Sequence, residues 1–264
     1  MQEIEKGFNA LGHLSPFLDE SRSIPYYQSH ARMIAEATER IGKIREAVGL
    51  DVDLCIENHR RLKPKEAVVL AKELEPFHPL FYEDPIIPDN FDSMAYVSDK
   101  IQIPLATGER IHTIQEYSML LRREALDYVR ISIGQCGGFT GAKKIAAMAE
   151  ANGVGVIPHN PYSPVTTAAC INLAASIPNF TIQEYPDPMG PAASERYVFT
   201  HSGIFPFRAV DLVKEAPVCE NGYLLVSDKP GIGVELEDDV DLLFPYKRRE
   251  IVTRLSVDGS VIDT

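Results

Sequence analysis

From about residue 30 onward, stretches with helical periodicity alternate with short, β-rich apolar runs, and the alternation repeats along the chain. Few folds are open to such a chain: strands joined by crossover helices lie parallel, and the helices cover the sheet. Residues 29–48 place Ile34, Ala37, Ile41, Ile44 and Val48 at helical spacing, and Gly49 stops that helix before a strand over 52–57. Pro64 opens the next helix, 65–74, which leads to a strand over 80–83 closed by Asp84 and Pro85. The unit recurs as helix 91–100 with strand 103–109, helix 114–124 with strand 128–133, helix 143–151 with strand 154–158, and helix 166–176 with strand 180–184. Upstream, residues 7–11 read as one more short strand, for about seven in all.

The expectation is an α/β fold of the (β/α)8 barrel type, truncated at its N-terminus by roughly one strand and helix. A length of 264 residues with 45% hydrophobic composition suits one such domain. Residues 1–186 are expected to form the barrel, incomplete at its N-terminus. Residues 187–264, with β-like pieces at 223–226 and 233–237, are expected to pack on it as an extension of the same domain.

Three strand ends carry glutamate, and 26 residues separate Glu57 from Glu83 and Glu83 from Glu109. In a barrel the C-terminal strand ends form the catalytic face, so this row converges on one point. Hard oxygen donors without Cys or His at equivalent places favour Mg²⁺. His59 and His159 fall on the same face, where two imidazoles facing each other across the metal could remove a C–H proton and protonate a departing hydroxyl. Glu184, ending the last strand, is a fourth inward carboxyl candidate that could donate or share a hydrogen bond with a substrate oxygen. Arg61 and Arg110 each follow a site carboxylate and are candidates for holding ligands or binding an anionic substrate group. His13, His30, His78, His112 and His201 read as ordinary core or loop histidines, although His13 could reach the same mouth. Gly137 and Gly138, ahead of a helix, could hold an anion, but no nucleotide-binding motif accompanies them.

With 38 acidic and 26 basic residues the formal charge is −12, which disfavours nucleic acid and anionic membrane surfaces as partners. An anionic substrate would therefore need a local positive centre. Cys55, Cys136, Cys170 and Cys219 form no CxxC pair, no leader opens the chain, and no apolar run reaches the ~18 residues of a membrane span. A reduced, cytoplasmic protein is expected.

The segments Glu57-Asn-His59-Arg-Arg61, Phe81-Tyr-Glu83-Asp-Pro85, Ala106-Thr-Gly-Glu109-Arg110, Gly137-Gly138-Phe-Thr-Gly141, Pro158-His159-Asn-Pro161 and Gln183-Glu184-Tyr together resemble the enolase superfamily. Within it they are most similar to the mandelate racemase branch and its galactonate-type sugar-acid dehydratases. The resemblance implies Mg²⁺ held by Glu57, Glu83 and Glu109. It implies His159 as the base that takes the proton α to a carboxylate, His59 as the acid for the 3-hydroxyl, and Glu184 as a hydrogen-bonding partner of the enediolate. A sugar acid such as galactonate or gluconate would lose water to give a 2-keto-3-deoxy acid. Three positions depart from the family pattern: Glu57 stands where many relatives have Asp, Ser132 where an Asp often partners the base, and Gly12 where many carry Lys. The family's N-terminal capping domain and first barrel strand are not among these residues. A racemase or epimerase of an α-hydroxy acid, or a non-catalytic barrel fragment, are the alternatives, and a homo-oligomer is expected.

Overall fold

The alternating pattern produces one parallel sheet flanked by helices. In the computed structural model, residues 2–17, 28–161, 163–186, 209–246 and 254–263 are described. The main sheet has six strands in chain order: β1 (Ala10–Leu14), β2 (Asp53–Glu57), β3 (Phe81–Glu83), β4 (Leu105–Thr107), β5 (Tyr128–Ile131) and β6 (Gly155–Pro158). Every adjacent pair is parallel. After the short α1 (Gln2–Glu5), the crossover helices are α2 (His30–Val48), α3 (Pro64–Leu74), α4 (Phe91–Lys100), α5 (Ile114–Leu121) and α6 (Gly138–Ala151), with α7 (Pro164–Ala174) following β6.

The helix starts follow the local chemistry. Ser29, Asn90, Thr113 and Ser163 each accept a backbone N–H of the first turn. Pro64 and Pro164 occupy first-turn positions, where a missing N–H costs nothing.

Period-2 alternation sends neighbouring strand residues to opposite faces. One set (Leu54, Ile56, Tyr82, Leu105, Val129, Ile131, Val156) packs against Ile41, Leu70, Met94, Leu120 and Ile145 of the helices in the main core. The other set forms a second buried cluster inside the curl of the sheet, from Cys55, Phe81, Ala106 and Ile157, with Ala10, Tyr128 and Ile182 against it. This inner cluster is an apolar floor. The next inward residue along β2, β3, β5 and β6 is Glu57, Glu83, Arg130 and His159 respectively.

Two strand expectations change. The first strand is Ala10–Leu14 and not 7–11, which moves its C-terminal end to His13 and Leu14. The expected strand at 180–184 reduces to one parallel bridge, Phe180 with Val156. Val156 N–H bonds to Asn179 O at 2.8 Å and Thr181 N–H to Val156 O at 2.9 Å; beyond that the chain turns its polar side chains into the mouth. Residues 187–208, including His201 and most of the stretch 186–191, lie outside the described residues. Downstream, β7 (Cys219–Glu220) and β8 (Tyr223–Leu224) form a small antiparallel hairpin, and Leu236 bridges Val213. Asn172 on α7 donates to Ile232 O at 3.1 Å, tying this extension to the barrel helices.

Candidate active site

The register explains two of the three glutamates directly. Glu57 pairs with Glu83, so both carboxylates rise at the same level. Glu83, however, pairs with Ala106, which leaves Glu109 beyond the paired strand and not in matched register. Glu109 reaches the cluster through Gly108, whose φ of 138° is open to glycine alone among ordinary residues. A Cβ at Gly108 would lie 2.7 Å from the Arg130 carbonyl oxygen. The turn thus brings Glu109 back over the mouth, and one carboxylate oxygen from each glutamate lies within 4.8 Å of the others.

All three are buried, at 2%, 3% and 5% exposure for Glu57, Glu83 and Glu109. Glu57 Oε1 accepts the His59 backbone N–H, while its buried Oε2 has no hydrogen-bond partner among the described residues. Burial, and then the charges of Glu83, Asp84 and Glu109, push the Glu57 carboxyl well above the usual carboxylate range. Asp84, fully buried beneath the cluster, is pushed up to about 7, chiefly by burial and then by Glu109 and Glu83. An orphaned oxygen among crowded hard donors is a site short of positive charge, and it fits a divalent cation.

Two arginines supply the positive charge that the chain does provide, and neither was singled out in the sequence. Arg130 on β5 is 2% exposed; its Nε donates to Glu83 Oε1 and its Nη2 to Glu184 Oε2 at 2.6 Å. It crosses the interior, tying one side of the sheet to the other. The available signal was a charged residue between Val129 and Ile131 in an otherwise apolar strand. Arg60 donates through Nη1 to Glu109 Oε1 at 2.7 Å and to Asp84 Oδ2 at 3.3 Å. From this loop, therefore, Arg60 reaches the carboxylates, whereas Arg61 packs on Phe17, donating to its carbonyl at 3.3 Å with the guanidinium 5.4 Å from the ring centroid. Arg110 is 42% exposed in its side chain and meets Glu109 Oε1 at 3.4 Å, at the rim.

His159 is brought to the cluster as expected: its Nε2 lies 3.0 Å from Glu109 Oε2, on a 5% exposed residue. His59 arrives differently. Its Nε2 is 2.9 Å from Arg60 Nη2, and because a guanidinium only donates, that nitrogen accepts. The two imidazoles are therefore joined through Arg60 and Glu109 by consecutive contacts of 2.9, 2.7 and 3.0 Å. Ser132 lies one residue past the Ile131 and Pro158 pair, as does His159, and its buried Oγ has no hydrogen-bond partner among the described residues.

Glu184 also enters the site. It accepts from Arg130 at 2.6 Å, from Asn160 N–H at 2.7 Å and meets His13 Nε2 at 2.9 Å. Burial pushes its carboxyl up, but Arg130 and then His13 outweigh it and hold Glu184 well below the usual range. Among these donors the carboxylate acts as a hydrogen-bond acceptor. His13 reaches the mouth from β1, 40% exposed in its side chain. Burial lowers its pKa, but Glu184 more than compensates and raises it. Gly138 begins α6 and Gly137 is its cap at φ 91°, with no side-chain cap hydrogen bond among the described residues.

Comparison with known proteins gives this geometry a lineage. Residues 20–240 match the model of the enolase C-terminal domain-like family. A D-galactonate dehydratase family member, RspA of Pantoea ananatis, is 35% identical over 204 residues, covering 76% of this chain and 45% of that protein. A D-mannonate dehydratase of Caulobacter vibrioides is 32% identical over 237 residues, covering 89% of this chain and 55% of the relative. The chain thus spans about half the length of the curated relatives it matches. Among solved structures, an enolase from Agrobacterium radiobacter, named for galactarate dehydratase and holding Na and L-malate, superposes with a TM-score of 0.85. It shares 30% identity over 98% of this chain and 64% of the other. No helix among the described residues is long and apolar enough to cross a membrane. Sequence model, fold and the converging strand-end carboxylates agree: the chain belongs to the enolase C-terminal domain-like family.

Proposed function

We propose that this chain carries the metal and proton-transfer machinery of a Mg²⁺-dependent sugar-acid dehydratase, removing water from an aldonic acid to give a 2-keto-3-deoxy acid. The observation that carries the reading is the buried Glu57, Glu83 and Glu109 cluster with its orphaned oxygen, hydrogen-bonded through Glu109 to His159. Glu57, Glu83 and Glu109 would hold the ion, which supplies positive charge for the substrate carboxylate and for the charge that develops as the α-proton leaves.

The remaining work falls to the chain's own side chains. With Nε2 of His159 donating to Glu109, Nδ1 is the basic nitrogen that takes the proton from C2. His59 accepts from Arg60 through Nε2, so its proton rides on Nδ1, and His59 is the proposed acid for the departing hydroxyl. Glu184 orients Arg130 and His13, and this group of side chains is the proposed hydrogen-bonding partner of the substrate oxygens. The naming of relatives as D-galactonate and D-mannonate dehydratases supports an aldonate as substrate.

Incubation with Mg²⁺ and a panel of aldonates, read by formation of 2-keto-3-deoxy acid and by exchange of the C2 proton in D2O, tests the reading. His159→Asn is expected to lose both while keeping Mg²⁺ binding. C2 exchange that survives in that variant would remove His159 from the chemistry. Exchange with inversion at C2 and no keto acid would assign a racemase instead.

A further inference from the structure

The loop after β2 passes through two consecutive left-handed residues, His59 at φ 53° and Arg60 at φ 65°. Residues bearing a Cβ adopt that conformation rarely and keep it when surrounding contacts hold them there. For Arg60 those contacts are specific. Its N–H donates to Asp84 O at 2.7 Å, and its side chain, 10% exposed, reaches Glu109, Asp84 and His59 with a single guanidinium. One permanent cation therefore touches a proposed metal ligand, the buried acid beneath it and the proposed proton donor.

A divalent ion held by Glu57, Glu83 and Glu109 has to share Glu109 with this guanidinium and is repelled by it. Arg130 is placed differently, because it takes Glu83 from the interior side and is anchored at its other end by Glu184. Arg60 sits on the loop at the mouth. We propose that Arg60 is a resident cation of the carboxylate cluster, holding Glu109, Asp84 and His59 in place before the metal arrives and weakening metal binding by competing for Glu109. The inference rests on the metal-site reading given above. It also links metal loading to His59: when the ion takes over Glu109, the fork that holds the imidazole loses one of its anchors.

A purely architectural salt bridge predicts the opposite sign, since its loss would disorder Glu109 and weaken the metal. Calorimetric titration of Mg²⁺ into the unsubstituted chain, Arg60→Gln and Arg60→Lys separates the two, alongside melting in EDTA and in Mg²⁺. Arg60→Gln is expected to melt lower in EDTA, to bind Mg²⁺ about tenfold more tightly, and to gain more in melting temperature from Mg²⁺ than the unsubstituted chain. Arg60→Lys keeps the charge and is expected to stay within about threefold of the unsubstituted affinity. Arg60→Gly removes the charge while suiting the left-handed backbone, and covers the case in which the glutamine variant folds poorly. Equal or weaker Mg²⁺ binding in the uncharged variants overturns the inference alone. An unsubstituted chain that binds no Mg²⁺ overturns the metal reading, and this inference with it.

Discussion

Replacing Arg130 with methionine removes the one guanidinium that spans the inside of the sheet, and its cost can be worked from the contacts. The side chain is 3% exposed, and it compensates Glu83, 4% exposed, and Glu184, 14% exposed. Taking away one member of a buried ion pair typically costs about 3–5 kcal/mol, because the remaining charge is left without a partner. A Coulomb estimate agrees in scale: unit charges about 4 Å apart at an effective dielectric of ~20 interact by about 4 kcal/mol. Methionine fills the volume of the arginine stem, so little cavity penalty adds to this. The expected loss is therefore about 3–5 kcal/mol in urea unfolding followed by circular dichroism in EDTA. That is a large share of a typical domain stability of about 5–15 kcal/mol. Mg²⁺ should restore part of it, since an ion beside Glu83 replaces the missing charge. Combining Arg130→Met with Glu184→Gln should cost less than the sum of the two, with a coupling of about 1–3 kcal/mol. A loss below about 1 kcal/mol, or strict additivity with Glu184→Gln, would refute the view of Arg130 as counter-charge to both carboxylates.

Five further outcomes can be checked on the same protein. Gly108→Ala should cost about 3 kcal/mol or more, from its φ of 138° and the 2.7 Å approach to Arg130 O, and should blunt the response to Mg²⁺ by displacing Glu109. Gly49→Ala is its control, at φ 74° and ψ −167° with nothing within 4 Å of the added Cβ; a cost of about 1–3 kcal/mol and an unchanged Mg²⁺ response are expected in denaturant titrations. Tyr117→Phe removes the buried hydroxyl that donates to Gly108 O at 2.8 Å, and should cost about 1–3 kcal/mol by the same assay. Mg²⁺ at a hundred times its dissociation constant should stabilise the chain by about 2.7 kcal/mol, a rise of roughly 5–10 °C in melting temperature. The last concerns pH. Because the folded Glu184 pKa lies below its ordinary value of 4.5, its contribution is complete above that value and is lost as the pH falls through the lower folded one. Glu184→Gln should therefore flatten the acid limb of a stability-versus-pH curve, and an unchanged limb would count against its pairing with Arg130.

Much of the fold was legible because its signals are local. Apolar spacing marked the helix at 29–48 and Pro64 marked the start of the next by chemistry that acts within one turn, whereas the helices expected at 143–151 and 166–176 begin earlier, at Gly138 and Pro164. The first strand was misplaced by three residues because 7–11 and Ala10–Leu14 are both short and weakly patterned, and pairing with β2 decides between them. The run at 180–184 has strand composition but keeps one bridge, since Gln183 and Glu184 are drawn into side-chain contacts at the mouth.

The site divides along the same line. Glu57, Glu83, Glu109, His159 and His59 are visible in the sequence, because a strand end followed by a turn places a polar side chain at the mouth wherever the strand lies in the barrel. Which arginines serve them was not visible. Arg61 and Arg110 adjoin the carboxylates in sequence, yet Arg60 reaches Glu109 through a left-handed loop residue, and Arg130 reaches Glu83 and Glu184 from 47 and 54 residues away. Glu184 likewise is an inward carboxyl by sequence, and an ion-paired acceptor only once Arg130, Asn160 and His13 surround it. The chain's order of residues determined which strands would form and which acids they would end on. Tertiary structure alone decided how those acids are charged, since burial and the charges that face them come from segments brought together by the curl of the sheet.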